Sequence, residues 1–167
     1  EIKMTTHYSF SKYNKEDMSR AYGRALPIST KQSVEICNFI KKNRLKGLKE
    51  AKDKLNLVIR GKLAVPFGRY KKDVAHRKKI GSGRYPQKAS MYILRLIESA
   101  EANAQNLGLD KENLVIKNIL ATKAAHQYSS GRRRRKRKRT NIEVILQEVK
   151  KPKKENVEMV KKEKQKE

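Results

Sequence analysis

The sequence predicts an α+β protein in which three amphipathic helices precede two β-strands that form a long hairpin. Apolar residues recur at helical spacing in three stretches between residues 30 and 107. β-branched residues concentrate in 113–121 and 141–149, and the second segment nearly alternates between apolar and polar positions. The segment 122–140 between them contains eight consecutive cations. Helices and strands thus occupy separate parts of the chain, as is typical of an α+β fold.

The chain carries a large excess of positive charge. Its 167 residues include 43 Lys and Arg against 17 Asp and Glu, for a formal net charge of +26. In the free folded protein these positive charges repel one another. Binding to a polyanion is favourable, because it neutralises the charges and releases the cations condensed on the polyanion. We therefore predict nucleic acid as the partner class, with an anionic membrane a distant second. The hydrophobic fraction of 37% suffices for one domain of roughly 100–150 residues.

The N-terminal part of the chain is polar and basic, with tyrosines among the cations, and it shows little periodicity. We therefore predict that residues 1–28 form an extended basic arm. Ser29 and Thr30 then offer a helix N-cap, because their hydroxyls can accept hydrogen bonds from the first turn. Apolar residues at helical spacing follow, so a first helix is predicted over 30–43.

Two further helices are predicted from the same periodicity. The second covers about 48–60, and Gly61 follows at the position where a left-handed residue ends many helices. The third begins near Pro86, which suits a first helical turn, and ends before Gly108. At roughly 20 residues it is the longest of the three.

The segment between the second and third helices lacks a periodic pattern. Residues 61–85 contain four glycines, one proline and many basic residues, and Asp73 is their single acid. We predict a long loop, and a loop of about 25 residues in a compact domain is usually functional or disordered. Its basic and aromatic residues make it the first candidate binding segment.

The first predicted strand and the segment that follows it, up to the start of the second strand, are free of acids. No Asp or Glu occurs from Asn113 to Ile142, whereas ten Lys and Arg do. We predict a β-hairpin over about 114–146 whose arms are on the order of 50 Å long, at roughly 3.3 Å per residue. Its outer part lacks large aliphatic residues, so only the base can pack on the helices, and we expect a partner to complete its shape.

A long, narrow and cationic hairpin favours folded RNA as the partner, because it fits a crevice between packed helices better than the surface of a duplex. Its block of cations contains six arginines and two lysines, and guanidinium groups both fork onto phosphates and stack on exposed bases. No helix-turn-helix, zinc-finger or basic-zipper pattern is present to read bases. Charge alone does not exclude DNA, and such a run is also typical of nuclear-import signals and nonspecific tracts.

Residues that carry catalysis or bind metals are few and scattered. The histidines, His7, His76 and His126, lack the spacing of metal ligands, and the acids form no evident catalytic pair. Cys37 is the only cysteine, which excludes an intramolecular disulfide, and we predict that it lies in the core. We expect no enzyme activity, no cofactor and no small-molecule substrate.

These elements divide the chain into a basic arm over 1–28, a single domain over 29–149 and a charged tail over 150–167. The tail is rich in Lys and Glu with few apolar residues, so we expect it to be disordered or ordered by a partner. No stretch has the roughly 18 apolar residues of a transmembrane helix, and the N-terminus lacks the apolar core of a secretory signal. We expect no membrane partner and a cytoplasmic location.

Four segments resemble one known family. They are Gly83-Arg-Tyr-Pro-Gln-Lys-Ala-Ser90, Ser99-Ala-Glu-Ala-Asn-Ala104, Leu107-Gly-Leu-Asp110 and Arg139-Thr-Asn-Ile-Glu-Val-Ile-Leu-Gln-Glu148. Together they resemble the family of ribosomal protein twenty-two of the large subunit, named protein seventeen in eukaryotes, over about residues 8–149. Val65-Pro-Phe67 and Gly83-Arg-Tyr-Pro86 are similar to the archaeal and eukaryotic branch of this family.

The resemblance implies a fold, a partner and a location. The fold is three helices on a small antiparallel three-stranded sheet with a long protruding hairpin, and residues 26–28 or 61–67 would supply the third strand. The partners are large-subunit ribosomal RNA and neighbouring ribosomal proteins. The body would lie near the exit of the nascent-peptide tunnel, and the hairpin would run inward, line the tunnel and contact the nascent polypeptide transiently. The role is structural, since the protein would clamp and neutralise RNA during subunit assembly.

The predicted RNA-binding residues come from the basic segments and from positions that the resemblance carries over. By that resemblance Ser29 and Lys31 open the first helix beside RNA. The predicted set is Arg24, Lys31, Arg69, Tyr70, Lys71, Lys72, His76, Arg77, Lys78, Lys79, Arg84, Lys88, Lys123, His126, Arg132, Arg133, Arg134, Arg135, Lys136, Arg137, Lys138 and Arg139. The predicted tunnel-lining tip is Tyr128, Ser129, Ser130, Gly131 and Arg132. Many relatives have a more varied tip, often with proline, so the unbroken cationic block is a departure.

Two other functions are the alternatives. A free RNA-binding protein or chaperone would use its basic arms transiently and would stay soluble and monomeric at physiological salt. An enzyme acting on nucleic acid would need clustered acids or metal ligands, which the sequence lacks. Where the protein is found in the cell distinguishes a free RNA-binding protein from a structural ribosomal protein.

Overall fold

The computed structural model describes residues 8–42, 47–70 and 72–149. Within these ranges the α-helices are α1 (Thr30–Lys42), α2 (Leu48–Ile59) and α3 (Gln87–Asn106). The strands are β1 (Met18–Leu26), β2 (Val65–Pro66), β3 (His76–Arg77), β4 (Gly81–Arg84), β5 (Leu114–Lys123), β6 (Gln127–Tyr128), β7 (Lys136–Arg137) and β8 (Thr140–Glu148). The α+β class and the three predicted helices are confirmed, and the observed helix ends lie about one residue from the predicted ones.

The three helices pack their apolar faces into one core. The side chains that line it include Ile36, Ile40, Leu55, Ile93 and Ile97, each of which is at most 2% exposed. Within each helix these residues are spaced by three or four positions, which places them on a single face. Full burial of each such side chain contributes about 1.5–3 kcal/mol, so the core is the main source of helix stability.

Helices α2 and α3 both end at the glycines that the sequence indicated. Gly61 has a φ of 72° and Gly108 a φ of 76°, a conformation that other residues rarely adopt. After α2, the N–H of Gly61 donates to the Val58 carbonyl at 3.0 Å, and the N–H of Lys62 donates to the Leu57 carbonyl at 2.9 Å. These bonds satisfy carbonyls that the helix leaves unpaired, and equivalent bonds end α3.

The main sheet has three antiparallel strands in the order β1-β8-β5. The predicted strands 113–121 and 141–149 are confirmed as β5 and β8, which pair from Leu114↔Glu148 to Lys123↔Thr140. Between them, β6 and β7 pair as a separate two-stranded sheet in the outer part of the hairpin. One face of β8 contributes Ile142 to the helical core.

The third strand corrects the sequence analysis. It is β1, Met18–Leu26, and not 26–28 or 61–67, so the interpretation of residues 1–28 as an arm is wrong for this segment. Its inward positions are small or polar, and the Ser19 hydroxyl donates to the Ala100 carbonyl of α3 at 2.9 Å. Small side chains let α3 lie close to the strand. Because they are not large apolar residues, the sequence shows no alternating pattern that would predict a strand here.

The outer face of the main sheet is covered by the segment that precedes β1. Ile145 and Glu143 point away from the helical core, yet they are only 1% and 3% exposed. The backbone N–H and the hydroxyl of Ser9 each donate to the Glu143 carboxylate at 3.0 Å. Arg20 packs its guanidinium group on the rings of Tyr8 and Tyr13, at 4.5 and 4.4 Å from the ring centres. The described part of the N-terminal segment is therefore packed on the sheet.

The long loop predicted over 61–85 contains a small sheet instead. Strand β4 pairs with both β2 and β3, in the order β2-β4-β3. Val65 and Phe67 are at most 2% exposed and anchor the sheet to the core, and the Phe67 N–H donates to the Ser82 carbonyl at 2.8 Å. Strands of two to four residues have too few positions to show a period, so no sequence pattern indicates them.

The expected disorder of the tail over 150–167 lies outside the described residues. Apart from β1, which belongs to the domain, the division of the chain into arm, domain and tail stays a prediction. In the described ranges, no helix combines the length and the apolar character needed to cross a membrane.

Candidate nucleic-acid interface

The first basic group lies where α1 meets the loop after β2. The centre of the Tyr70 ring is 5.3 Å from the Arg69 guanidinium carbon and 5.9 Å from Lys31 Nζ, distances at which a cation is attracted to an aromatic face. The N–H groups of Arg69 and Tyr70 donate to Oε1 of the buried Glu35, at 2.8 and 2.7 Å. Lys31, Arg69 and Tyr70 thus form one surface cluster, named here the Tyr70 cluster.

The second basic group lies on the small sheet. The guanidinium carbon of Arg77 is 5.3 Å from the centre of the Tyr85 ring, and that of Arg84 is 6.0 Å from the centre of the Phe67 ring. Gly83 permits this close arrangement, because an added Cβ would lie 3.1 Å from Cγ of Arg77. The group offers guanidinium planes and an exposed tyrosine side by side, which suits stacking on unpaired bases.

A cleft of about 340 Å³ joins the helical body to the hairpin. Its lining includes Ser29 and Gln32 at the start of α1, Lys88 in the first turn of α3, and residues 137–139 of the hairpin. The N-terminus of a helix carries a partial positive charge, because its first N–H groups have no partner within the helix. The cleft therefore combines two helix N-termini with cationic side chains and attracts anions such as phosphate.

Arg139 connects this cleft to the base of the hairpin. Its guanidinium group donates to the Ala25 carbonyl at 3.3 Å and to Oε1 of Gln127 at 2.5 Å, and its carbonyl accepts the N–H of Ala124 at 3.2 Å. Its buried Nε has no hydrogen-bond partner among the described residues.

The outer part of the hairpin, residues 125–138, is exposed except for the partly buried Ser129. The chain reverses around Gly131, which has a φ of 99°, and the Ser129 N–H donates to the Arg135 carbonyl at 2.9 Å across the turn. Tyr128 is 63% exposed, with Lys136 Nζ 5.8 Å from its ring centre. A closed turn thus presents an aromatic side chain and cations to the surroundings.

The remaining predicted residues are spread over the described surface. Arg24 lies on β1 and Lys123 ends β5, while Nδ1 of His126 lies 3.1 Å from the Arg137 carbonyl. The predicted residues that are exposed around β3 include Lys72, His76, Lys78 and Lys79. The exposed cations of the hairpin turn and its returning arm include Arg132, Arg133, Arg134 and Lys138, and Ser130 is exposed beside them. Lys71 lies outside the described residues.

Sequence reasoning missed Glu35, and it missed that Ala25 and Gln127 bind Arg139 at the base of the hairpin. Glu35 interrupts an apolar stretch of α1 and is 3% exposed, and an acid among buried positions is the signal that predicts a hydrogen-bonded carboxylate. Its partners are N–H groups more than 30 positions away, which no local pattern specifies. In the described part of the chain, no group of three or more His, Cys, Asp or Glu side chains is placed to hold a metal ion.

Comparison with known proteins identifies relatives over most of the chain. The family model described as ribosomal protein L22p/L17e matches residues 21–148. A Nanoarchaeum equitans protein named large ribosomal subunit protein uL22 is 43% identical over 145 residues, which is 81% of each chain. The protein of the same name from Archaeoglobus fulgidus is 44% identical, over 70% of this chain and 76% of its own length. The one from Staphylothermus marinus is 37% identical, over 87% of this chain and 98% of its own length.

Proposed function

Since this chain belongs to the ribosomal protein L22p/L17e family, we propose that its basic surface binds large-subunit ribosomal RNA and supports subunit assembly. As a member of the family's archaeal type, the protein is a structural constituent of the large ribosomal subunit in the cytoplasm, and it is not an enzyme. Its partners are ribosomal RNA and neighbouring ribosomal proteins. The further parts of the proposal are that the hairpin lines the nascent-polypeptide exit tunnel and that Tyr128–Arg132 contact the nascent polypeptide transiently.

The cleft between the helix N-termini and the hairpin is the observation that best supports RNA binding. Lys88 and Arg139 are far apart in the sequence but line one concave surface. A single phosphate there would meet cations from α3 and from the hairpin, so RNA binding would fix the hairpin relative to the body. With a net charge of +26, the protein gains binding free energy from each counterion that the RNA releases.

The hairpin supports the assignment to the tunnel. Its base is attached to β1 through Arg139, whereas residues 125–138 expose almost every side chain to the surroundings. A two-stranded hairpin of this kind is marginally stable alone, so it requires contact with a partner along its length. RNA that surrounds the cationic arms would supply this contact and leave the tip facing the tunnel.

The first experiment is sedimentation of a cell lysate on a sucrose gradient, before and after a high-salt wash. We expect the protein to stay with the large subunit through the wash, because buried contacts are screened less than exposed ones. Migration at the top of the gradient, or release at modest salt, would overturn the proposal. That result would favour the alternative of a free RNA-binding protein or chaperone.

A shortened hairpin tests the tunnel assignment separately. Replacing residues 125–138 by Asn-Gly keeps β5 and β8 paired, because Ala124 and Arg139 already bond across the hairpin and Asn-Gly suits a two-residue turn. We expect large subunits to retain this variant, while photo-crosslinking from a stalled nascent polypeptide to the protein is lost. The matched control is Lys49→Gln with Lys54→Gln on α2, which we expect to crosslink normally. Absence of crosslinks to the wild type at every nascent-chain length would overturn the assignment.

A further inference from the structure

Glu35 is a buried acid in a protein dominated by basic residues. It is 3% exposed and lies on α1 beside the core residues Ile36 and Cys37. Burial of a carboxylate costs free energy unless hydrogen bonds replace its lost hydration. The hydrogen bonds that Glu35 accepts come from two consecutive backbone N–H groups, those of Arg69 and Tyr70. These are charge-assisted bonds, which are stronger than bonds between neutral groups.

The loop that carries Arg69 and Tyr70 is also held by a contact before these bonds and by a contact at the Tyr70 ring. Phe67, two residues before Arg69, is 2% exposed and bonded to the Ser82 carbonyl of β4. Lys31 lies one helical turn before Glu35 on the same face of α1, and its Nζ approaches the Tyr70 ring. The carboxylate therefore fixes where Arg69 and Tyr70 lie relative to Lys31.

We propose that Glu35 is a positioning residue for RNA binding, which holds the Tyr70 cluster in the arrangement that contacts a ribosomal RNA strand. Lys31 and Arg69 bind phosphates, and Tyr70 orients both cations through its ring. An acid thus strengthens binding to a polyanion, because it acts on the loop backbone and is shielded from the RNA by burial. The inference rests on the proposed function and assigns this residue a role within it.

The decisive variants distinguish the effect of the charge of Glu35 from the effect of the length of its side chain. Glu35→Asp keeps the charge but shortens the side chain, so the oxygen no longer reaches the two N–H groups. Glu35→Gln removes the charge but keeps an acceptor oxygen at the same distance. If the cluster depends on this acceptor, Glu35→Asp weakens RNA binding and Glu35→Gln largely retains it. If the acid merely repelled RNA, Glu35→Gln would bind more tightly than the wild type.

The measurement is the affinity of the full-length protein for purified large-subunit ribosomal RNA at several salt concentrations. Log affinity falls as log salt rises, and loss of each phosphate contact makes this negative slope shallower by about 1. We therefore expect Glu35→Asp and Glu35→Ala to make the slope shallower by about 1 to 2. In a background of Lys31→Ala with Arg69→Ala, we expect Glu35→Asp to cause no further loss, since residues that act through one another are not additive.

Glu101→Ala is the matched control, because Glu101 is also buried but binds Lys52 and Lys111 on α2 and on the turn after α3. We expect it to lower thermal stability and to leave the salt slope unchanged. Amide exchange at Arg69 and Tyr70 reports the hydrogen bonds directly, and we expect faster exchange in Glu35→Asp than in Glu35→Gln.

Three outcomes are distinguishable. A folded Glu35→Asp protein with the wild-type affinity and slope would overturn the inference. A full additional loss in the background lacking both cations would also overturn it, because Glu35 would then act elsewhere. Failure of the wild type itself to bind ribosomal RNA would instead overturn the proposed function.

Discussion

The hydroxyl oxygens of Thr30 and Thr140 lie 2.9 Å apart, although 110 positions separate the two residues. The Thr140 hydroxyl donates to the Ile28 carbonyl at 3.0 Å, and the Thr30 hydroxyl lies 3.5 Å from the Arg139 carbonyl. Thr140 is completely buried. The first residue of α1 is thereby bonded to the first residue of β8, and helix α1 and the base of the hairpin form one unit.

Removal of the Thr140 hydroxyl is expected to destabilise this unit. Thr140→Val preserves the shape of the side chain but leaves the Ile28 carbonyl unpaired, which costs about 1–3 kcal/mol of unfolding free energy. Urea denaturation measures the change. The control is Thr122→Val on the neighbouring strand β5, where the partly exposed side chain predicts a change within about 0.5 kcal/mol. Equal effects of the two substitutions would contradict the role of Thr140.

Glu101 is expected to make stability depend on pH in the acid range. Burial alone would raise the pKa of its carboxyl, but hydrogen bonds from Lys52 and Lys111 outweigh burial and lower the pKa from its ordinary value of 4.5. Because the folded pKa is the lower one, the stabilisation is complete above pH 4.5 and is lost as the pH falls through the folded pKa.

Glu101→Gln tests this dependence by comparison with the wild type. We expect the difference in unfolding free energy to be largest above pH 4.5 and to shrink below it, as urea titrations at a series of pH values would measure. A difference that stays constant through the acid range would show that the two lysines do not hold the carboxyl in its charged form.

Arg20 is expected to hold the N-terminal segment on the outer face of the main sheet. Arg20→Ala removes the contacts with both Tyr8 and Tyr13, which weakens the attachment of the N-terminal segment to the sheet by about 1–2 kcal/mol. Since the sheet stays intact, we expect faster cleavage after Lys12 by a lysine-specific protease, with little change in global stability. The control is Arg95→Ala on the exposed side of α3. Equal cleavage rates in the two variants would argue against the attachment.

Cys37 is expected to be unreactive in the folded protein. Its thiol is 3% exposed, and burial raises its pKa to about 12, so the reactive thiolate is scarce at neutral pH. We expect a thiol reagent to modify the chain only after denaturation, whereas Ser130→Cys at the exposed hairpin turn should react at once. Rapid modification of Cys37 in native buffer would show that α1 separates readily from the core.

The sequence predicted best where large apolar side chains repeat. The stripes of α1, α2 and α3 and the alternation of β8 come from residues whose burial dominates the free energy of folding, so their spacing reveals the element that they form. Strand β1 escaped prediction because its inward positions are Ser19, Ala21 and Gly23, which leave room for α3 but show no apolar period. The small sheet escaped prediction because its short strands depend on pairing across the loop.

The sequence by itself determined nucleic acid as the class of partner, the three helices and the cationic character of the hairpin. It could do so because charge and hydrophobic periodicity are local properties of the chain. Only the tertiary structure decided which distant groups meet. Glu35 reaches the N–H groups of Arg69 and Tyr70, Thr140 reaches Ile28, and Lys88 shares a cleft with Arg139. Hydrogen bonds and concave surfaces depend on positions in space within a few ångströms, and the packed core sets those positions.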